Sequence, residues 1–243
     1  MGLKRIGQRT VEFPSLPVLI GFASVAGKKE SEGPLGNSFD YVATDTTLGE
    51  SSWERAESHM QKEALGRALA KAKVSTDNLQ YIFAGDLINQ CIASAYGMRE
   101  TECPFVGLYG ACSTMAESLM LAAMAVDGGF AGYAAAVTSS HFASAERQYR
   151  FPLEYGGQRT PTAQWTVTGA GCAILAQQGN GPHIRRACAG KIVDYGIKDV
   201  NNMGAAMAPA MQMETQKNAG FFPGAFGWVF CAQPARMPAL VVS

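Results

Sequence analysis

Apolar and polar residues alternate along this chain with two different periods. Short apolar runs at Leu16 to Ala23, Tyr81 to Ala84, Phe105 to Tyr109 and Gly132 to Val137 have the length of buried strands. Between them lie longer stretches with helical spacing. Trp53, Ala56, Met60, Ala64, Leu65, Ala68, Leu69 and Ala72 mark one apolar stripe, and Glu57, Lys62, Glu63 and Arg67 fall on the opposite face. Ser51 and Glu54 have the spacing of a capping box at the start of that helix. Two further helices are predicted, from about Ile88 to Met98 and from Ser113 to Val126, the second stopped by Asp127-Gly128-Gly129. The segment 27–49 is a long polar loop. Ala163 to Gln177 reads as a glycine-interrupted strand pair or bent strand, and Ile184 to Tyr195 as one more strand.

Strands alternating with helices imply an α/β domain with a mostly parallel sheet. Such sheets bind ligands where strands hand over to helices, at the C-terminal strand ends. Asp86, Cys112 and the Ser139-Ser140-His141 loop all fall at such ends.

Composition narrows the function. Twenty basic residues balance twenty acidic ones, and no lysine- or arginine-rich run occurs. This argues against nucleic acid as a partner and against a polybasic membrane patch. The N-terminal "MGLKRIGQRTVEF" lacks the apolar core of a signal peptide, and no run is long enough to span a bilayer. The six cysteines include no Cys-x-x-Cys pair, so reduced thiols and no bound metal are expected.

Cys112 stands where a strand passes into a helix. The helix dipole and unpaired N–H groups there stabilise a thiolate, so its pKa is expected to fall. Gly110 and Ala111 leave room for a sharp turn, as in a nucleophile elbow. The competing reading is a small buried residue, which local sequence favours because free cysteine is usually buried and inert. A nucleophilic cysteine also needs a base. Of the three histidines, His59 falls on the helix surface and His183 in a turn, which leaves His141. Asp86 is an N-cap candidate for the next helix, a role compatible with lining a pocket. Asn89 and Gln90 follow it as donors to a carboxylate. "TGAGCA" lacks a third glycine and is read as close backbone packing.

The stretches "GPLG", "AGDLINQ", "LYGACSTMAES", "DGGFA", "TSSHFASAERQYRFPLEYGGQRTPTAQWTVTGAGCA" and "NNMGAAMAPA" resemble the stage V sporulation protein AD family of the thiolase-like superfamily. The resemblance runs from about residue 5 to residue 210. It implies an α/β thiolase-like βαβαβαββ half with a mixed, mostly parallel sheet. It also implies binding of dipicolinic acid, alone or with calcium, and support for its uptake into the developing spore. The implied location is peripheral, on the cytoplasmic face of the spore inner membrane, beside membrane-embedded proteins of the same operon. No cofactor is implied beyond calcium carried by the ligand. Cys112 matches the thiolase nucleophile position and Asp86 lies in the "AGDL" pocket motif. Both are expected ligand contacts, with Asn89 beside them and His141 in a supporting role.

The chain departs from the family after Ala210. Residues 211–243 do not resemble a second thiolase half, and a truncated or frameshifted reading frame is expected there. The His and Asn of condensing enzymes come from that second half, so the resemblance implies a binding protein rather than an enzyme. The alternatives are acyl transfer through Cys112 and a structural subunit with a vestigial pocket. A lone half also exposes an apolar face, which predicts association of copies into a homo-oligomer.

Overall fold

The computed structural model describes residues 4–149, 166–190, 196, 198 and 205. Nine strands and five α-helices occur among them. In chain order these are β1 (Arg5–Ile6), β2 (Thr10–Glu12), β3 (Val18–Ala26), α1 (Lys28–Ser31), β4 (Tyr41–Val42), α2 (Trp53–Ala72) and β5 (Tyr81–Gly85). There follow α3 (Ile92–Met98), β6 (Phe105–Leu108), α4 (Thr114–Asp127), β7 (Tyr133–Ser140), α5 (Phe142–Tyr149), β8 (Gly169–Ala176) and β9 (Arg186–Cys188). The tail 211–243 lies outside the described residues.

Six strands form one sheet in the order β4-β3-β8-β7-β5-β6. β5, β6 and β7 run parallel, β4 runs parallel to β3, and β8 is antiparallel to both β3 and β7. This is the mixed, mostly parallel sheet expected. "TGAGCA" contributes to one strand, β8, rather than a strand pair. Of the expected strand at Ile184 to Tyr195, Arg186–Cys188 is observed, and 191–195 lie outside the described residues.

Helices cover both sheet faces. Alternation along each strand sends successive side chains to opposite layers. Ile82, Ala135, Val137, Cys172 and Ile174 pack with Met60, Ala64 and Leu65 of α2. Phe83, Ala134, Ala136, Ala173 and Leu175 pack with Leu119, Ala122 and Val126 of α4. β7 is central and its three alanines are fully buried. Alanine is a poor strand former, but here its small side chain lets both helical layers approach the sheet.

The N-cap of α2 is Ser52, not Ser51. The Ser52 side chain accepts from the Arg55 N–H, while Glu54 pairs with Arg147 of α5. The helix ends on Lys73, whose left-handed backbone lets the N–H groups of Lys73 and Val74 reach back to Ala70 and Leu69. A small antiparallel sheet, β1-β2-β9, is tied to the end of α4 by Lys4 Nζ on Asp127 Oδ2 at 2.7 Å. α4 carries only two charged residues, Glu117 and Asp127. Its Met115, Met120, Leu121 and Met124 are half-buried.

Gly21 allows β3 to touch α2. A Cβ there would lie 2.5 Å from the Ala68 carbonyl oxygen and 2.8 Å from the Ala72 nitrogen. Backbone cannot move aside as a side chain can, so Gly21→Ala is expected to destabilise the fold by about 1–3 kcal/mol. Urea unfolding measures this, and an unchanged midpoint would contradict the packing described.

Candidate functional site

The three parallel strands end level with one another. Gly85 pairs with Leu108 on one side and with Thr138 on the other. Asp86 and Tyr109 therefore leave the sheet side by side, with Ser139 level on β7. Strands lie about 4.8 Å apart, so the loops carrying Asp86, Cys112 and His141 meet at one edge. Gly85 is needed for this convergence, because a Cβ there would run into the Leu108 carbonyl and the Thr114 methyl group.

Cys112 lies in a 3-10 turn, Ala111–Ser113, directly before α4. Ala111 holds a positive φ of 49°, a left-handed conformation that disfavours a side chain. The turn is as sharp as expected, but the thiol differs. Cys112 is half-buried, and desolvation pushes its pKa up, not down. Withdrawal from water outweighs the partial charge of the short turn.

His141 is 1% exposed. Its Nε2–H donates to the Thr46 carbonyl at 2.7 Å, and its Nδ1 accepts from the Ala143 N–H at 3.1 Å. Both ring nitrogens are thus committed to backbone, and burial holds the pKa below the usual value. The ring pins the polar loop 27–49 to the start of α5.

Asp86 is also 1% exposed. Its Oδ1 accepts from the Ile88 N–H at 2.8 Å, and its Oδ2 accepts from the Ser94 N–H and hydroxyl at 2.8 and 2.6 Å. It anchors the loop entering α3, which carries consecutive left-handed residues, Gln90 and Cys91. Burial raises its pKa, opposed by the Ser94 and Ile88 hydrogen bonds.

Asn89 sits outside this layer. Its N–H donates to Gln148 Oε1 at 3.0 Å, and its Oδ1 accepts from the Tyr109 hydroxyl at 3.2 Å. Gln148 Nε2 lies 3.5 Å from the same hydroxyl. Asn89, Tyr109 and Gln148 thus form an exposed polar rim joining the β5 loop, the end of β6 and α5.

Sequence reasoning placed Glu57 on the polar face of α2, and the structure corrects this. Glu57 is 0% exposed. Its Oε1 accepts from Ser139 at 2.9 Å, and its Oε2 lies 2.8 Å from the Ser144 hydroxyl. Gln61, one turn on, donates to Ser94 at 2.8 Å and Ser139 at 2.7 Å. Positions 57 and 61 continue into 64, 65 and 68 at helical spacing, so both fall inside the apolar stripe. That was the missed signal. Desolvation, with the nearby Asp86 charge, raises the Glu57 pKa to about 8.

Among the described residues no group of three or more His, Cys, Asp or Glu side chains is placed to hold a metal ion. A separate groove of about 730 Å³ lies between α2 and α3, lined by Arg55, Lys62, Arg99, Glu50, Glu63 and Tyr96 among others. Its charges are mixed in sign, and none of the residues singled out in the sequence as ligand contacts lines it.

The Glu57 shift has a direct consequence for stability. The unfolded chain releases this proton near pH 4.5, the folded chain near pH 8. Between these values the folded state holds the extra proton, so stability falls as pH rises through that window and levels off above it. The slope is on the order of 1.4 kcal/mol per pH unit for one group. Glu57→Gln is expected to flatten it and to raise stability at pH 8. Urea unfolding from pH 5 to 9 measures this, and an unchanged slope would contradict the assignment.

A sequence model of the stage V sporulation protein AD family matches residues 7–219. The stage V sporulation protein AD of Bacillus subtilis is 43% identical over 209 residues, covering 86% of this chain. The chain spans 62% of that relative's length. Among solved structures, two of cerulenin-bound OleA from Xanthomonas campestris share the fold. One covers 89% of this chain and 75% of its own at a TM-score of 0.62 and 13% identity. The other covers 88% and 74% at 0.59 and 12%. At such identities the likeness shows the thiolase-like fold alone. On the extent of the family match and the identity to the Bacillus relative, this chain belongs to the stage V sporulation protein AD family.

Proposed function

We propose that the chain is a sporulation protein that binds dipicolinate, with or without calcium, at the edge formed by the β5, β6 and β7 loops, and so supports uptake of dipicolinate into the developing spore. The observation that carries binding over catalysis is the engagement of the candidate base. Both nitrogens of His141 are taken by backbone, and burial raises the Cys112 pKa. A nucleophile needs a thiolate or a free base beside it.

Dipicolinate is a flat pyridine with two carboxylates. N–H groups at the start of α4, beside Cys112, suit one carboxylate, and the Asn89, Tyr109 and Gln148 rim offers further polar contacts. Asp86 acts by holding the rim loop, since its oxygens already take three donors. Calcium enters with the ligand, whose own oxygens suit a hard cation. No described helix is long and apolar enough to cross a membrane, which fits work at the inner spore membrane through membrane-embedded partners. The half-buried methionine and leucine side chains of α4 suit a second copy of the chain.

Calorimetric titration with dipicolinate, with and without calcium, tests the reading. Saturable binding is expected, weakened about tenfold or more by Cys112→Ala and by Asp86→Asn. Absence of binding by the folded chain would overturn it.

The second reading is acyl transfer through Cys112. The strained Ala111 turn favours it, because strain of this kind collects at reactive sites. Iodoacetamide labelling at pH 7 separates the two. The binding reading expects Cys112 to react more slowly than the exposed Cys188, and faster reaction at Cys112 would favour transfer.

A further inference from the structure

Glu57 and Asp86 are joined by a continuous run of hydrogen bonds. Glu57 Oε1, Ser139 Oγ, Gln61 Nε2, Ser94 Oγ and Asp86 Oδ2 follow one another at 2.6 to 2.9 Å. The Gln61 amide gives its two hydrogens to the two serine hydroxyls, with the Gly85 carbonyl a longer contact at 3.4 Å. Each hydroxyl then passes its own hydrogen outward, Ser94 to Asp86 and Ser139 to Glu57. The direction of every bond is set from the middle.

The two carboxyl groups differ in what meets them. Asp86 is met by two backbone N–H groups, which can only donate, and by the Ser94 hydroxyl that Gln61 turns toward it, so its partners suit the carboxylate. Glu57 is met by hydroxyls alone among the described residues, and a hydroxyl can donate or accept. Its Oε2 lies 2.8 Å from Ser144 Oγ, which is also 3.1 Å from the His141 carbonyl. A proton on Oε2 completes this arrangement. Glu57 donates to Ser144, and Ser144 donates to the His141 carbonyl. Without that proton Ser144 must turn back to Glu57, leaving the carbonyl only the Ala145 N–H.

Ser144 stands in the first turn of α5, and Gln148 lies one turn on, on the same side of the helix. Gln148 is the residue that accepts from the Asn89 N–H. We propose that Glu57 is a neutral acid whose proton holds the start of α5 in place and, through Gln148, positions the Asn89 rim. Loss of the proton releases the rim, so Glu57 is a positioning residue that makes the rim sensitive to pH.

Other charged groups of the surrounding elements are engaged elsewhere. On α2, Glu54 pairs with Arg147 of α5 at the surface. Glu146 of α5 accepts from Thr166, and His141, at the end of β7, is bound to Thr46. Beside α3, Cys91 donates to the Leu108 carbonyl. Asp86 is the charge that acts on Glu57, and its sign favours the neutral acid.

Amide exchange of Asn89, followed by NMR from pH 6 to 9 and corrected for intrinsic rates, tests the proposal on the protein alone. Protection in the wild type is expected to hold to pH 7 and fall about tenfold by pH 9, as a group ionising near pH 8 requires. Glu57→Gln is expected to give a flat profile. Ser144→Ala cuts the link while keeping Glu57, and is also expected to be flat. A flat wild-type profile, or a Ser144→Ala profile like the wild type, would overturn the assignment. One further arm rests on the binding reading: dipicolinate affinity is expected to follow the Asn89 profile in the wild type and not in Glu57→Gln. If dipicolinate fails to bind at any pH while the Asn89 profile holds, the role of Glu57 stands and the proposed ligand falls.

Discussion

Two carboxyl groups in one apolar interior cannot both carry charge without a large desolvation penalty. Glu57 and Asp86 meet this constraint without a cation in their bonding among the described residues. Asp86 keeps its charge because two backbone N–H groups and a hydroxyl point at it. Glu57 gives up its charge, and the hydroxyls around it adapt. This arrangement ties α2 to β7, to α5 and to the loop entering α3, so the edge where three strands end has a single geometry.

The same edge carries most of the backbone strain near the candidate site. Gln90, Cys91 and Ala111 all hold positive φ, and each such residue costs roughly 1–3 kcal/mol. The packing beneath supports them. Alanines in β7 admit helices on both faces, and Gly85 admits the Leu108 carbonyl. Cys91 fixes its own strained turn by donating to that carbonyl at 3.0 Å. A rigid base under a strained rim is what a preorganised ligand site requires.

Much of the fold was legible in the sequence because its signals are local. The α2 stripe, the turn at Gly110-Ala111-Cys112 and the strand ends before Asp86 and His141 are set by periodicity and by glycine. What was not legible depends on which face a residue meets. Glu57 read as solvated because its type is polar, although its spacing, like that of Gln61, places it within the buried stripe. For the Cys112 thiol the sequence offered two readings, a pKa lowered by the helix start and a small buried residue, and the packed structure shows burial raising the pKa. His141 was the candidate base, and only the tertiary fold shows Thr46 and Ala143 holding its ring. Tyr109 and Gln148 lie in stretches that resemble the family but had no role assigned from sequence, and they enter the rim because β6 and α5 converge.

The family match and the geometry agree on a thiolase-like fold in which the loops after β5, β6 and β7 meet at one strand edge. This edge is the proposed place where ligand binds. A crystal structure of the chain grown with dipicolinate and calcium tests it most directly. Dipicolinate is expected between the Cys112 turn and the Asn89, Tyr109 and Gln148 rim. Dipicolinate found in the groove between α2 and α3, beside Arg55, Lys62 and Arg99, would contradict it.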